Sequence, residues 1–416
     1  MAGCFCLGLF SSRIRASQRR KLKQRGAAIP VRTPPAGGDN KWAALPPDLL
    51  LSIVPRLSVA EHVRLRAVCT SWFHALRGSH PFFADKRPWL MLNHDEESGR
   101  RLSLVSPLQG QSCHLPFLPK LSGETWCPGH KDGWLVVHHK LKIFLLNPIT
   151  GEQVTFPPFY AQPEIDPNTR PSVGKVVLSD TPATAPDGVI VAMAVTSTGS
   201  IAYAKSTDRR WTQVAVTENS SVRDIVYHSG MFCILCSGPN TWEISAEFAG
   251  RYRQSQLTML SLCGLTTSTL QYEYRDQLEE GVLTLASSPT GELLLVLGVH
   301  DPDSKIYSKF SVMAWQGRIG SWAKVEYLRG QSLFVDSLQT TLLPIADDQA
   351  AAGLEKDRVY LAKLICNSRN EVLMDSGVFR VDGGDAVGPC FPGSLSSILG
   401  GQLSSFFPFW FTPSLT

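Results

Sequence analysis

Cysteine and histidine pairs are the first features of this sequence that could support chemistry. Cys233 and Cys236 form a C-x-x-C pair, which could supply half of a tetrahedral zinc site. No second pair completes a four-ligand set, and the apolar residues around the pair indicate a strand, so we interpret both as buried core thiols. His138 and His139 would face opposite sides of a strand and could not chelate one metal together. A turn location without a chemical role is the favoured interpretation for them.

Common catalytic motifs are absent from the sequence. It contains no Gly-rich phosphate loop, no G-x-S-x-G elbow and no H-E-x-x-H helix. We therefore predict no catalytic residue, no metal ligand and no cofactor. The alternative is an enzyme whose titratable side chains converge at the centre of a folded ring of strands, an arrangement that one sequence cannot reveal.

The composition is that of a soluble globular protein. The chain has 416 residues, of which 43% are hydrophobic and 18% charged, and this length allows two or three domains. Its ten cysteines lack the paired spacings of a disulfide framework, which favours a reducing compartment. The longest apolar runs are far shorter than the roughly 18 residues needed to span a bilayer, so we predict no transmembrane segment.

Positive charge is concentrated at the start of the chain. Residues 1–41 hold nine Lys or Arg and the single acid Asp39, a net charge of +8, whereas the remainder has a net charge of −4. The slightly negative charge of residues 42–416 therefore predicts no nucleic-acid-binding surface on this part of the chain. We predict a disordered basic tail over 1–41 and a location in the nucleus or cytoplasm. A nuclear localisation signal, an organelle transit peptide and S-acylation at Cys4 and Cys6 remain alternatives for the tail.

A helical module follows the tail. Pro46 and Pro47 suit the first turn of a helix, where a missing N–H costs nothing, and Pro55 should end that helix near Val54. Ser58 and Glu61 then have the spacing of a capping box. The module holds more apolar residues than three short helices can bury, which predicts a partner.

From Pro88 onward the pattern is that of short strands. Runs rich in Val, Ile, Phe, Tyr and Trp alternate with turn residues, and Trp211 to Val214 and Trp322 to Val325 repeat W-x-x-V after a polar turn. Groups of about four strands recurring every 40–50 residues are typical of a β-propeller. We predict six or seven blades, with a pair of β-sandwiches as the alternative. The fold class is therefore α+β multidomain, a small all-α module before an all-β propeller.

The helical module closely resembles the F-box motif. The resemblance rests on leucine-proline before an acidic residue and a leucine pair, then Arg56-Leu57, the run from Arg64 to Cys69, and Ser71-Trp72. It implies a domain over 42–80 that binds the Skp-type adaptor of a cullin ubiquitin ligase. The residues implied in adaptor binding are Leu45, Pro46, Leu49, Leu50, Ile53, Leu57, Val68 and Trp72.

The later part resembles plant F-box proteins with a KIB-type β-propeller. The similar segments are 128–135 (PGHKDGWL), 146–151 (LNPITG), 224–230 (DIVYHSG), 375–379 (DSGVF) and 410–415 (WFTPSL). This resemblance implies a propeller over 81–416 that captures an unknown target protein for ubiquitination. The alternative is an organelle-targeted or stand-alone propeller that assembles no ligase.

Overall fold

A computed structural model describes the helical module and most of the strands. The described residues are 44–57, 59–76, 88–96, 99–106, 112–113, 115, 117–119, 125–159, 173–196, 199–214, 221–237, 242–248, 282–301, 303–304, 306–317, 321–347, 350, 353–366, 372–391 and 408–414. The predicted tail over 1–41 lies outside them and stays a prediction, as do the predicted domain bounds.

Three short α-helices form the module, as predicted. They are α1 (Pro47–Ile53), α2 (Val59–Arg66) and α3 (Thr70–Ala75), with a 3-10 turn over Val54–Arg56. Pro47 occupies the first turn of α1, and the helix ends where Pro55 removes a backbone donor. Ser58 lies outside the described residues, so the capping box stays a prediction. Among the described residues, no helix has the length and apolar character to cross a membrane.

Twenty-four strands follow in the described residues. The first twelve are β1 (Trp89–Glu96), β2 (Gly99–Val105), β3 (Ser112–Cys113), β4 (Thr125–Lys131), β5 (Trp134–His139), β6 (Lys142–Leu146), β7 (Gln153–Thr155), β8 (Val173–Leu178), β9 (Val191–Thr196), β10 (Ile201–Lys205), β11 (Thr212–Val214) and β12 (Ser221–His228). The others are β13 (Met231–Ser237), β14 (Trp242–Phe248), β15 (Val282–Ser287), β16 (Leu293–His300), β17 (Tyr307–Gln316), β18 (Ser321–Val325), β19 (Gln331–Asp336), β20 (Thr340–Pro344), β21 (Arg358–Cys366), β22 (Val372–Arg380), β23 (Asp382–Gly388) and β24 (Phe409–Phe411).

The strands form six groups, most of them antiparallel meanders. The groups are β24-β1-β2-β3, β4 to β7, β8 to β11, β12 to β14, β15 to β18, and β20-β19-β21-β22-β23. The last strand pairs with the first, since Leu90 lies opposite Trp410. The fifth and sixth groups join where Lys309 of β17 lies opposite Asp385 of β23.

Six apolar clusters close these groups into a ring. Alternate residues of a strand face opposite sides of its sheet, and each side here packs on a different neighbour. Leu90 contacts a cluster shared with the sixth group, whereas Met91 contacts one shared with the second. The other four clusters lie between the second and third, third and fourth, fourth and fifth, and fifth and sixth groups. The ring is a β-propeller, so the sandwich alternative is wrong.

The W-x-x-V repeat marks the outermost strands of two blades. Trp211 precedes β11 and Trp322 lies in β18, and each strand pairs on one side with the preceding strand of its group. The sequence pattern missed β4, because Pro128 and Gly129 argue against a strand. A register shift between Trp126 and Gly129 accommodates the proline. A Cβ on Gly129 would lie 2.1 Å from the carbonyl oxygen of Val176, so close approach of β8 requires glycine there.

Candidate functional site

The helical module has a small core of its own. Leu50, Val54, Trp72 and Leu76 are buried together, with Leu45, Leu65, Cys69 and Ala75 packed around them. Since Leu50 and Val54 lie four residues apart, they share one face of the helical turn that spans α1 and the 3-10 segment. That core holds α1 against α3.

A second set of apolar side chains points away from this core. Five large apolar residues of the module are exposed, and we call them the apolar surface of the module: Leu49, Leu51, Ile53, Val68 and Phe73. Val68 is 57% exposed and Leu49 is 55% exposed. Leu49 and Ile53 lie four residues apart and therefore share one face of α1. Exposed apolar side chains concentrated in one small module favour an interaction surface.

The eight predicted adaptor-binding residues divide between these two sets. Leu49, Ile53 and Val68 belong to the apolar surface, and Pro46 is exposed beside Leu49. Leu45 and Leu57 are half-buried, whereas Leu50 and Trp72 lie in the module's core. The adaptor contacts themselves stay a prediction for all eight.

Leu51 and Phe73 belong to the apolar surface and were missed from the sequence. Both are next to a core residue, Leu50 or Trp72. A helix turns by about 100° per residue, so a neighbour of a buried residue turns out of the core. Three consecutive leucines in a seven-residue helix were the signal that could have identified Leu51. Arg66 lies over the Phe73 ring, 4.7 Å from its centroid, and leaves much of that ring open.

Polar side chains converge where the innermost strands of the propeller meet. The strands β4, β8, β12, β15, β20 and β24 each stand at one end of a group. Neighbouring members of this set contact one another at β4 and β8, β8 and β12, β12 and β15, and β15 and β20. We call the polar residues gathered here, some of them at the end of β19 and in the turn to β20, the axial cluster. Its buried members are His130, Asp224, Thr284, Asp336 and Thr340, and its half-buried members are Lys175 and Gln339.

Asp224 connects four inner strands of the ring. Lys175 of β8 donates to its carboxylate, and the hydroxyl of Thr284 on β15 donates to Oδ2 at 2.5 Å. The backbone N–H of Leu285 donates to the same oxygen at 2.7 Å. Thr284 also lies 3.0 Å from the Thr340 hydroxyl of β20. A buried carboxylate with this many donors is compensated for its lost hydration, so Asp224 holds the strands together.

Asp336 performs the same task where the ring closes. Its Oδ2 accepts the backbone N–H of Trp410 in β24 at 2.8 Å, and its Oδ1 accepts the N–H of Leu338 at 2.6 Å. His130 lies with Nε2 3.9 Å from Oδ2. Gln339 Nε2 lies 3.1 Å from the Nδ1 atom of that ring. Titratable groups therefore converge in the propeller, and the carboxylates of Asp224 and Asp336 accept hydrogen bonds from neighbouring strands, whereas Nε2 of His130 is buried without a hydrogen-bond partner among the described residues.

The cysteine pair lies in the core, as predicted. Cys233 and Cys236 are three residues apart in β13 and face different clusters, one toward the fifth group and one toward the third. Burial raises the pKa of the Cys233 thiol to about 11. Within the described part of the chain, no three His, Cys, Asp or Glu side chains are placed to hold a metal ion.

The histidine pair lies in strand β5, so the predicted turn location is wrong. His138 is buried against the Trp126 ring, with centroids 4.1 Å apart, whereas His139 accepts or donates a hydrogen bond with Thr125 at 2.7 Å. Burial lowers the pKa of His138 to about 4, and the neighbouring His139 adds to the shift. The two imidazoles do face opposite sides of the strand, as its pleat requires.

Two family models match this chain. The KIB1-4 β-propeller model matches residues 117–380, and the F-box-like model matches residues 42–80. The first match covers more than half of the chain.

Curated relatives from Arabidopsis thaliana are F-box proteins. A putative F-box protein is 24% identical over 90% of this chain and 94% of its own length. Another F-box protein is 26% identical over 77% of this chain and 84% of its own length. An F-box/kelch-repeat protein is 33% identical over a shorter region, 27% of this chain and 30% of its own length.

Solved structures with a related shape are distant. A putative TolB from Agrobacterium tumefaciens is 11% identical, with a TM-score of 0.32, over 78% of this chain and 98% of that one. The Dos1 propeller is 9% identical, with a TM-score of 0.30, over 73% of this chain and 69% of that one. Scores this low carry no argument, and the assignment rests on the family models and curated relatives. The chain belongs to the KIB1-4 β-propeller family and carries an F-box-like domain ahead of its propeller.

Proposed function

We propose that this protein is the substrate-recognition subunit of a Skp–cullin–F-box ubiquitin ligase. An F-box joined to a propeller, with F-box proteins as relatives, supports a substrate-recognition role in general. The observation that supports binding of a Skp-type adaptor is the apolar surface of the module, which has five large apolar side chains exposed to solvent. A Skp-type adaptor covers this surface and through it brings the cullin.

The contribution of this chain is proximity. The propeller holds a target protein near the loaded transfer enzyme, so that the transfer becomes effectively intramolecular. No bond is made or broken by the chain itself. The axial cluster supports this assignment because the carboxylates of Asp224 and Asp336 are taken up by hydrogen bonds that join the inner strands.

The proposed adaptor surface is tested by replacing Leu49 with glutamate and Ile53 with lysine in the full chain. Burying each leucine or isoleucine side chain contributes about 2 kcal/mol to association, so the double variant should bind a purified Skp adaptor at least about 100-fold more weakly. Isothermal titration measures this directly, and capture of the cullin should be lost in parallel.

A matched control uses the same chemical changes on the propeller. Leu141→Glu with Ile306→Lys alters side chains that are 45% and 44% exposed, close to the 39% of Ile53. This control should bind the adaptor as the unaltered chain does. Retained binding by the Leu49 and Ile53 variant would show that the adaptor uses another surface, and absence of binding by the unaltered chain would reject ligase assembly.

We also propose that the protein works in the nucleus or cytoplasm. The support is the basic sequence of residues 1–41, which has the composition of a nuclear localisation signal. The measurement is the N-terminal sequence of the mature protein. An intact start is expected, whereas cleavage between about residues 25 and 40 would indicate organelle import.

A further inference from the structure

The chain continues past β24, the strand that closes the ring. Residues 412–414 leave β24 and cross to the second group, where they lie against two of its turns. Pro413 is buried and Ser414 is half-buried. We call residues 412–414 the C-terminal clasp. At the clasp, three of the segments that resemble KIB-type propellers meet: 128–135, 146–151 and 410–415.

The first contact of the clasp is with the turn between β4 and β5. Gly133 lies in that turn with a φ of +88°, and Ser414 packs directly against it. A Cβ added at Gly133 would lie 2.4 Å from Ser414 Cβ and 2.6 Å from the backbone nitrogen of Ser414. Side-chain atoms do not approach other heavy atoms this closely, so the clasp can lie here only because the turn carries glycine.

The second contact is with the turn that follows β6. Asn147 is buried, and its Oδ1 accepts the backbone N–H groups of Ile149 and Thr150 at 3.0 and 3.2 Å. Its Nδ2 donates to the carbonyl oxygen of Ser414 at 3.1 Å. One amide side chain therefore shapes the turn and also holds the clasp. A buried donor needs an acceptor, so release of the clasp would leave Nδ2 unsatisfied until water reaches it.

The clasp spans the junction between the first and second groups, which we call the seam. At the seam, Phe409 and Phe411 of β24 lie against the His130 ring of β4, with centroids 5.0 and 6.1 Å away. Both phenylalanines belong to the apolar cluster that the first and second groups share. Strand β24 pairs with β1 through only three residue pairs. Because this closure is short, the clasp provides a second attachment at the end of the ring.

We propose that the C-terminal clasp is a releasable device that holds the seam closed. When the clasp is bound, the Asn147 hydrogen bond and the fit of Ser414 on Gly133 tie the first group to the second. When it is released, the seam opens before the rest of the ring, because the inner strands of the second to sixth groups remain in contact with one another. This inference does not rest on the ligase proposal, since it concerns opening within the propeller.

The first test compares the full chain with a variant that ends at Thr412, by hydrogen exchange and mass spectrometry under native conditions. The variant keeps β24 and its pairing with β1. We expect the amides of β1, β4 and β5 to exchange at least about fivefold faster, since a hydrogen bond and its packing are lost. The amides of β15 and β16 in the fifth group should exchange as in the full chain. Unchanged exchange at the seam, or equal acceleration in both regions, would overturn the proposal.

A matched pair of glycine variants tests the fit of the clasp in the full-length chain. Gly133→Ala places a methyl group against Ser414, whereas Gly230→Ala adds the same methyl group where nothing lies within 4 Å. The two glycines have φ values of +88° and +85°, so alanine brings the same backbone strain to both. Gly133→Ala should speed exchange at the seam by at least about fivefold, and Gly230→Ala should leave exchange at the seam unchanged.

The effects of truncation and of Gly133→Ala should not add. In the variant that ends at Thr412, no Ser414 is present for the methyl group to displace, so Gly133→Ala should then change seam exchange no more than Gly230→Ala does. Asn147→Asp keeps Oδ1 and removes the donor, and it should speed seam exchange only in the full-length chain. Additive effects would show that these changes act on the turns themselves, and would overturn the proposal.

Discussion

The helical module and the propeller distribute apolar and polar side chains in opposite ways. Among the described residues, five of the ten exposed large apolar side chains lie within the module, between Leu49 and Phe73. In the propeller, each apolar sheet face is covered by the next group of strands. Two of its buried carboxylates, Asp224 in β12 and Asp336 at the end of β19, instead accept hydrogen bonds from the inner strands β15 and β24.

The two regions differ because they gain stability in different ways. A few dozen residues cannot bury enough apolar surface, so the module leaves a face that a partner can cover. A closed ring of sheets has no such deficit, since every face has a neighbour. The first region is complete in an assembly, and the second is complete in itself.

The largest effect should come from opening the ring. Trp410→Ala removes a buried side chain that packs on Phe334 and whose indole Nε1 donates to the Val335 carbonyl at 3.3 Å. We expect the free energy of unfolding of the propeller to fall by about 3–5 kcal/mol, measured by urea denaturation. Adaptor binding at low temperature should persist. Loss of adaptor binding together with unfolding of the propeller would show that the module does not fold independently of the propeller.

A similar effect should follow from removing the central carboxylate. Asp224→Ala leaves Lys175, Thr284 and the Leu285 N–H without their acceptor, which should destabilise the propeller by about 3–5 kcal/mol. The matched control is Asp385→Ala, since Asp385 pairs with Lys309 on the surface at 3.5 Å. That change should cost less than about 1 kcal/mol. Equal losses in the two variants would contradict a special role for the axial cluster.

Neighbouring leucines of α1 should separate stability from binding. Leu50 is 1% exposed and Leu49 is 55% exposed. Leu50→Ala should lower the stability of the module by about 2–4 kcal/mol, whereas Leu49→Ala should change stability by less than about 0.5 kcal/mol and weaken adaptor binding. Circular dichroism and isothermal titration distinguish the two. A destabilised Leu49 variant would place that side chain in the core.

An effect that is absent at neutral pH should be a pH dependence of the stability of the propeller. His138 has a folded-state pKa of about 4, below its ordinary value of 6.5, so the unfolded chain binds more protons between these values. This contribution to stability is complete above pH 6.5 and is lost as the pH falls through 4. His138→Phe should flatten the dependence of the unfolding midpoint over this range. An unchanged slope of the unfolding midpoint against pH would show that groups other than His138 cause the pH dependence.

Local sequence patterns were sufficient to predict an element where its residues' environment is set by their neighbours in the chain. Pro47 and Pro55 identify the start and end of α1, and Trp211 and Trp322 mark two outer strands. Patterns failed at β4 and β23, where Gly129 and Gly384 suggest loops. Strand β8 packs against Gly129 of β4, and β17 pairs with β23. Both come from distant parts of the chain, and contact with them outweighs a low local strand propensity.

The amino-acid sequence was enough to predict that a helical module precedes a ring of strands, and that the module holds more apolar residues than it buries. The folded chain was needed to see which leucines face outward, and to see that four residues from distant strands meet: Lys175, Asp224, Thr284 and Thr340. The physical reason is the distance along the chain. Periodicity and turn residues act over a few positions, whereas these four residues span more than 160 positions and are brought together by the closure of the ring.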